Sequence, residues 1–292
     1  MFEGFDTKRI AVGDTEFHVR IGGKGPPVLL LHGFPQTHHA WHQVAPVLAE
    51  RLTVVVPDTP GYGATRGPEP TVEKFSKRAL ARRCAGLMTA LGFERFHLAG
   101  HDRGARIGYR LALDTPERID RLAMLDILPT AEVWQAMNAE AALNSYHWLL
   151  LAQDDPALQR LIGLDAPGYV RHLIDRWAHY RDRLDPAAVD AYAEAYAAPS
   201  VVAAMFADYR AGATLDRELD RTDKQAGNRV TAPLLLLWGA HYLRERGRSH
   251  LDVWRGWAED VSVERLDCGH FLAEEAAAPC AKALLGFFTN ER

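Results

Sequence analysis

The chain has 292 residues, 48% hydrophobic and 25% charged, ordinary for a globular enzyme with one large α/β domain or a core carrying an insert. A formal net charge of -4 gives no basic footprint for nucleic acid, so any cation that draws in an anion must be local. Cys84, Cys268 and Cys280 lie far apart without CxxC spacing, Met1 to Ile10 is charged with no signal-peptide core, and no apolar run nears a membrane span; the expectation is a soluble cytoplasmic protein with no membrane partner.

Glu16 to Ile21 alternates as a short strand, followed by a Gly/Pro-rich turn at 22–27. Val28 to Leu31 is a continuous apolar run, as expected of a strand covered on both faces. It ends in His32-Gly33-Phe34-Pro35, and a helix is predicted from about Ala40 to Glu50. Leu52 to Val56 reads as the next buried strand and Val72 to Leu91 as a long helix. After the strand Phe96–Ala99 a helix runs to about Asp114, and Leu122 to Leu125 is another strand. Residues 130–225 show helical spacing and no convincing strand. Pro233 to Trp238 resumes the strand type, with a helix near Leu251–Glu259, a last strand Val261–Leu266 and a closing helix Phe271–Phe288. The alternation predicts a mostly parallel sheet flanked by helices, with core segments 1–129 and 226–292 and a helical cap over 130–225.

Chemistry concentrates at Gly100-His101-Asp102-Arg103-Gly104-Ala105-Arg106. Small-x-nucleophile-x-small between a strand and a helix is a nucleophile elbow, and here the nucleophile position holds Asp102. A carboxylate nucleophile attacks an sp3 carbon and leaves an ester, which a base must then hydrolyse with water. His270, in the Gly-His loop after the last strand, is the candidate base. The loop after Trp238 offers no carboxylate until Glu245, so Asp126 is the candidate orienting acid. The backbone N–H groups of Phe34 and Arg103 are the expected oxyanion donors. Arg103 and Arg106, spaced i, i+3 beside Asp102, share a face that suits a substrate carboxylate. His38, His39 and His42 lack any metal-ligand motif, so they are read as packing or hydrogen-bonding groups and no metal is expected; His39 and Trp41 are possible pocket-lining residues.

These residues resemble the fluoroacetate dehalogenases, a branch of the α/β-hydrolase haloacid and haloalkane dehalogenases. The likeness covers nearly the whole chain: His32 to Trp41, the elbow, Leu125 to Thr130, Tyr146-His147-Trp148, Asp208 to Ala213 and Gly269 to Leu272. It implies that Asp102 is the nucleophile, His270 the base and Asp126 its partner, that Arg103 and Arg106 bind the substrate carboxylate, and that His147, Trp148 and Tyr209 bind halide. Donors there make physical sense, because fluoride leaves poorly unless its developing charge meets several hydrogen bonds. The resemblance also implies a channel role for Trp177, a small halogenated carboxylate as substrate, no cofactor and a homodimer. Ala131 and Val133 depart from it, standing where the family carries tyrosines.

The rivals are an epoxide hydrolase, which needs cap tyrosines such as Tyr146 and Tyr209 as acids, and a non-catalytic carboxylate binder, which leaves Asp102, Asp126 and His270 without a role.

Overall fold

The computed structural model describes residues 1–243, 245 and 248–290. Its sheet has eight strands: β1 (Asp6–Val12), β2 (Thr15–Gly22), β3 (Pro27–Leu31), β4 (Thr53–Pro57), β5 (Phe96–His101), β6 (Ile119–Leu125), β7 (Leu234–Gly239) and β8 (Val261–Leu266), in the order β1-β2-β4-β3-β5-β6-β7-β8. The β1–β2 and β2–β4 pairs are antiparallel and the rest are parallel, the mostly parallel, helix-flanked sheet expected from the alternation.

The continuous apolar runs split by alternation between the two sheet faces. Leu29, Leu31, Val55, Leu98, Leu122 and Leu236 pack on one side. Val28, Leu30, Val54, Ala99, Ala123 and Leu235 pack on the other. Both sides are covered, which is why these strands carry no polar alternation.

Two helices follow the sheet's first half, α1 (Lys77–Ala90) and α2 (Arg103–Asp114). Among the described residues no strand lies between β6 and β7. That interval holds α3 (Tyr146–Leu151), α4 (Ala166–Trp177), α5 (Pro186–Ala195), α6 (Pro199–Ala213) and α7 (Leu215–Ala226), together with helices Thr130–Gln135, Ala139–Asn144 and Pro156–Gly163 and a 3-10 turn Arg181–Arg183. This helical layer has its own apolar cluster, including Trp148, Trp177, Tyr192 and Tyr209, which Phe34, Tyr62 and Phe271 join from sheet loops. Among the described residues no helix is long and apolar enough to cross a membrane.

Several elements depart from the expected outline. β1 is an additional edge strand, mostly exposed, that pairs only with β2. The Ala40–Glu50 helix divides into a 3-10 turn, His38–Trp41, and a short helix, Ala45–Leu48, with Pro46 in its first turn. The Val72–Leu91 helix breaks at Ser76, whose hydroxyl caps α1 by accepting from Ala79 N (3.3 Å) and donates to Glu73 O (2.9 Å). The helix near Leu251–Glu259 spans only His250–Arg255.

The closing helix is cut into α8 (Leu272–Glu275) and α9 (Ala277–Phe288). Pro279 lacks the N–H that would bond Glu275 O in a continuous helix, and Arg183 Nη1 donates to that carbonyl instead (3.1 Å). The break turns Glu275 inward. Its carboxylate accepts from Gly269 N (2.9 Å), Phe271 N (3.0 Å), His179 N (2.8 Å) and Tyr180 N (2.8 Å), tying the loop around His270 to the end of α4. Removing this buried acceptor strands four N–H groups, so Glu275→Ala is expected to cost about 3 kcal/mol or more of stability, read by urea denaturation, and Glu275→Gln less.

Candidate active site

Asp102 ends β5 and opens α2 with φ 43 and ψ -112, a strained conformation that costs roughly 1–3 kcal/mol and persists only where packing enforces it. Here the two flanking glycines make it possible. A Cβ on Gly100 would lie 2.6 Å from the Ala105 backbone, and one on Gly104 2.5 Å from the carbonyl oxygens of Leu31 and His32. The crossing is too tight for any side chain.

The next strand repeats the device. Asp126 follows β6 with φ 55. Asp102 N donates to Leu125 O (3.2 Å) and Asp126 N to Leu237 O (2.8 Å), so each aspartate is anchored to the following strand. Asp126 Oδ1 accepts from Gly239 N (3.1 Å), and Oδ2 receives His270 Nδ1 (2.6 Å). His270 Nε2 then faces Asp102 Oδ2 at 4.0 Å, close enough for attraction and too far for a hydrogen bond. The other Asp102 oxygen, Oδ1, accepts from Phe34 N (3.0 Å). Of the two expected oxyanion donors, Phe34 N–H is therefore in place on Oδ1; among the described residues Arg103 N–H makes no bond to Asp102.

Burial pushes the Asp102 carboxyl up, but the charges of His270, Arg106 and Arg103 more than offset it and hold the group below the usual carboxylate range. For His270, burial pushes down while the hydrogen bond and charge of Asp126 lift it above its ordinary value. A buried anion and a base with a raised pKa thus stand side by side, uncommitted to each other.

The two arginines are both buried but differ in kind. Arg103 spends Nε on Asp208 Oδ2 (2.8 Å) and Nη2 on Asp208 Oδ1 (2.8 Å) and the Asp208 carbonyl (2.7 Å). Lys77 Nζ also pairs with Asp208, and Tyr62 OH donates to it (2.9 Å). Burial lowers the Arg103 pKa, and Asp208 more than reverses this. Of the Arg103 nitrogens, only Nη1 lacks a partner among the described residues. Arg106, by contrast, forms no ion pair among the described residues. Its Nη1 donates to Leu128 O (3.0 Å) and Thr130 Oγ1 (2.9 Å), and its Nε is buried without a partner. Burial without a bonded counter-charge pushes Arg106 down.

The helical layer closes over this group. The Arg103 guanidinium stacks on Tyr209 (4.2 Å), and that of Arg106 on Trp148 (4.6 Å). The Tyr209 ring packs against Phe34 (5.3 Å), His147 (5.9 Å) and Trp148 (6.2 Å). The three donor residues from α3 and α6 therefore meet over Asp102, whose charge reaches both His147 and Tyr209. Burial pushes His147 down to about 3, so it is a neutral imidazole, and its Nδ1 is buried with no partner. Trp177 packs against His147 (4.6 Å) and edge-on to His270 (5.6 Å).

The sequence reading did not find Asp208, Lys77 or Tyr62 as partners of the elbow arginine, nor Tyr242, whose ring lies 4.3 Å from that of His270. Tyr242 sits in the loop after β7, where a carboxylate had been sought. Trp41 does not line the site; it is fully buried in the core beneath the sheet. Ala131 faces an outer groove with Gln135, Arg217 and Arg221, whereas Val133 packs on the layer's apolar cluster.

His38, His39 and His42 are engaged among themselves and with acids. His18, His38 and Asp58 come close enough to suggest metal ligands. Asp58 is nevertheless already satisfied, by His38 N (2.7 Å), His38 Nδ1 (2.8 Å) and Ala64 N (2.8 Å), in a fully buried position. These residues fit a hydrogen-bonded brace for the loop better than a metal site.

The comparisons agree with this geometry at the level of fold. A family model described as the alpha/beta hydrolase fold matches residues 26–277. A fluoroacetate dehalogenase from Burkholderia sp. is 38% identical over 100% of this chain and 96% of its own length. A soluble epoxide hydrolase from Corynebacterium sp. (strain C12) is 27% identical over 94% of each. Among solved structures, a provisionally named epoxide hydrolase from Pseudomonas aeruginosa, a mutant with bound MFA, superposes with a TM-score of 0.94 at 42% identity, covering 98% of this chain and 96% of that one.

The electrostatics give a substrate-free test. In an NMR titration His270 is expected to titrate above 6.5 and His147 to remain neutral down to about 3. Asp126→Asn is expected to pull His270 below its wild-type midpoint and leave His147 unmoved.

Proposed function

We propose that this chain, which belongs to the α/β-hydrolase family, is a haloacetate dehalogenase that works through a covalent ester on Asp102. The observation that carries the reading is the pair of buried guanidinium groups beside the nucleophile: among the described residues Arg106 has no ion pair and Nη1 of Arg103 has no partner. A buried cation of this kind calls for an anion. The anion that joins it to the chemistry of Asp102 is a carboxylate one bond from the reacting carbon.

The substrate carboxylate docks on Arg106 and Arg103 Nη1 and places Cα in line with Asp102 Oδ2, the oxygen not held by Phe34. An electron pair of Oδ2 forms the C–O bond as the C–halogen bond breaks, and halide leaves toward His147, Trp148 and Tyr209, whose N–H and O–H groups meet its charge. Oδ1 becomes the ester carbonyl oxygen, already bonded to Phe34 N–H. His270, oriented by Asp126, takes a proton from water, which attacks the Asp102 carbonyl carbon. As the ester C–O bond breaks, His270 returns that proton to the leaving oxygen, so glycolate departs, and Asp102 regains its carboxylate by losing the second water proton to solvent. The nucleophile is a native carboxylate, so no cofactor enters. On this reading residues 130–225 act as a cap over a core formed by 1–129 and 226–292.

Epoxide hydrolysis is the second reading, favoured by the names of several relatives. It retains Asp102 but asks two phenols to protonate an alkoxide. Tyr146 packs its ring under the Arg176 guanidinium (5.7 Å), while His147 and Trp148 are the α3 residues packed on Tyr209. Two buried cations give a neutral epoxide nothing.

Fluoride release from fluoroacetate and chloride release from chloroacetate, measured beside ring opening of styrene oxide, decide between the two. Halide release without diol is expected, and diol without halide overturns the proposal. In heavy-oxygen water the label is expected in Asp102. Asp102→Asn should abolish halide release, and His270→Asn should give one equivalent of halide and then stall. Arg106→Ala is expected to lower kcat/KM by roughly 10²–10³-fold. Because the base must be neutral, turnover rises with pH through a midpoint above 6.5.

A further inference from the structure

A buried hydrogen-bond chain leaves the back of the His270 loop and ends in the helical layer. His101 Nε2 contacts His270 O (2.8 Å), and His101 Nδ1 contacts the Gln36 side-chain amide (3.0 Å). That amide also meets Glu274 Oε2, and Tyr192 OH of α5 donates to Glu274 Oε1 (3.0 Å). His101, Gln36, Glu274 and Tyr192 are all buried.

The chain has a proton-counting problem. With the Gln36 oxygen toward His101, both ring nitrogens of His101 face acceptors, Gln36 Oε1 and His270 O. A neutral imidazole has one N–H and can satisfy only one of them. Burial pushes His101 down to about 3, so it is neutral. A half turn of the Gln36 amide removes the conflict: N–H₂ donates to His101 Nδ1, and His101 Nε2–H donates to His270 O. The Gln36 oxygen then faces Glu274 Oε2, and two oxygens can share that contact only if one carries a proton.

We propose that Glu274 is a positioning residue acting as a neutral acid: its O–H donates to the Gln36 oxygen, the amide N–H₂ donates to His101 Nδ1, and His101 is thereby locked in the Nε2–H tautomer that holds the His270 carbonyl. This rests on reading His270 as the base. Burial lifts the Glu274 carboxyl to about 8, in keeping with a protonated acid at neutral pH. The segments packed against it bring Tyr192 and Asp185 with α5, His39 and His42 with the 3-10 turn, and Arg181, Asp182 and Arg183 with the turn after α4; its own segment adds Glu275 and His270. The negative charges of Glu275 and Asp185 oppose a further charge on Glu274. Once Glu274 ionises it can only accept, so the amide turns back, His101 takes the Nδ1–H tautomer, and the Nε2 lone pair meets the His270 carbonyl. The loop carrying the base then loses the hydrogen bond at the His270 carbonyl, one of the contacts that set its position.

Glu274→Gln tests this, because a carboxamide can donate to the Gln36 oxygen and accept from Tyr192 as a neutral acid does, but cannot ionise. In wild type, kcat for haloacetate turnover is expected to fall on the alkaline side with a midpoint of about 8. Glu274→Gln should keep kcat within about 3-fold at pH 7 and lose that fall, while Glu274→Ala should lose about 10-fold or more. The direct readout needs no substrate: nitrogen-15 NMR of resting wild-type enzyme should show His101 protonated at Nε2 at pH 6.5 and shifted to the Nδ1–H form above the Glu274 midpoint. The proposal is overturned by an Nδ1–H tautomer at pH 6.5, by folded Glu274→Gln enzyme that loses kcat as Glu274→Ala does, or by an alkaline limb that Glu274→Gln retains. If haloacetates are not turned over, only the functional reading fails and the tautomer decides this one.

Discussion

A carboxylate serves as a nucleophile only while it is ionised and unclaimed, and the role proposed for Asp102 depends on keeping it so in a place almost without water. Burial alone would protonate it. Neighbouring cations prevent that, but a guanidinium within reach would itself seize the carboxylate. The structure resolves the tension by occupying Arg103 with Asp208 and leaving His270 at 4.0 Å. Positive potential is retained while the competing contacts are removed. Lys77 then shares Asp208, and Asp216 lies 4.0 Å from Lys77, so the extra charge is balanced away from the nucleophile.

The framework and the placing of Asp102, Asp126 and His270 together were legible because strand ends are. Apolar runs closing in Gly-x-Asp, in Asp126 and in Gly-His place three groups at one edge of a parallel sheet with little help from the rest of the chain. Asp208 was hidden differently: it stands beside Tyr209 in a motif already singled out, but its partner Arg103 is 105 positions away, and no local pattern says which cation a buried acid will meet. The edge strand β1 escaped notice because its exposed charged face leaves no hydrophobic alternation. The interrupted helices have local signals in Pro46, Ser76 and Pro279, which their apolar periodicity outweighed in the reading.

Sheet and helical layer are joined at the loop of His270. His270 N donates to Trp177 O (3.1 Å), and Glu275 bonds backbone N–H groups on both sides of the seam. The imidazole is thus held from three directions: by Asp126 at its ring, by α4 at its amide and by His101 at its carbonyl. The arginine side is joined by charge as well as by stacking: Asp208 of α6 accepts from Nε and Nη2 of Arg103, and Trp148 and Tyr209 lie over the guanidinium groups.

Asp102 and Asp126 each begin where a strand stops, and each borrows a carbonyl from the strand beside it. Their separation is therefore set by the pitch of the sheet, about 4.8 Å between neighbouring strands, a length that side-chain exchange in the loops does not alter. The backbone lattice works as a ruler on which the reactive groups are marked off. Helices above it can be recut to admit a different molecule while the spacing of the chemistry stays as it was.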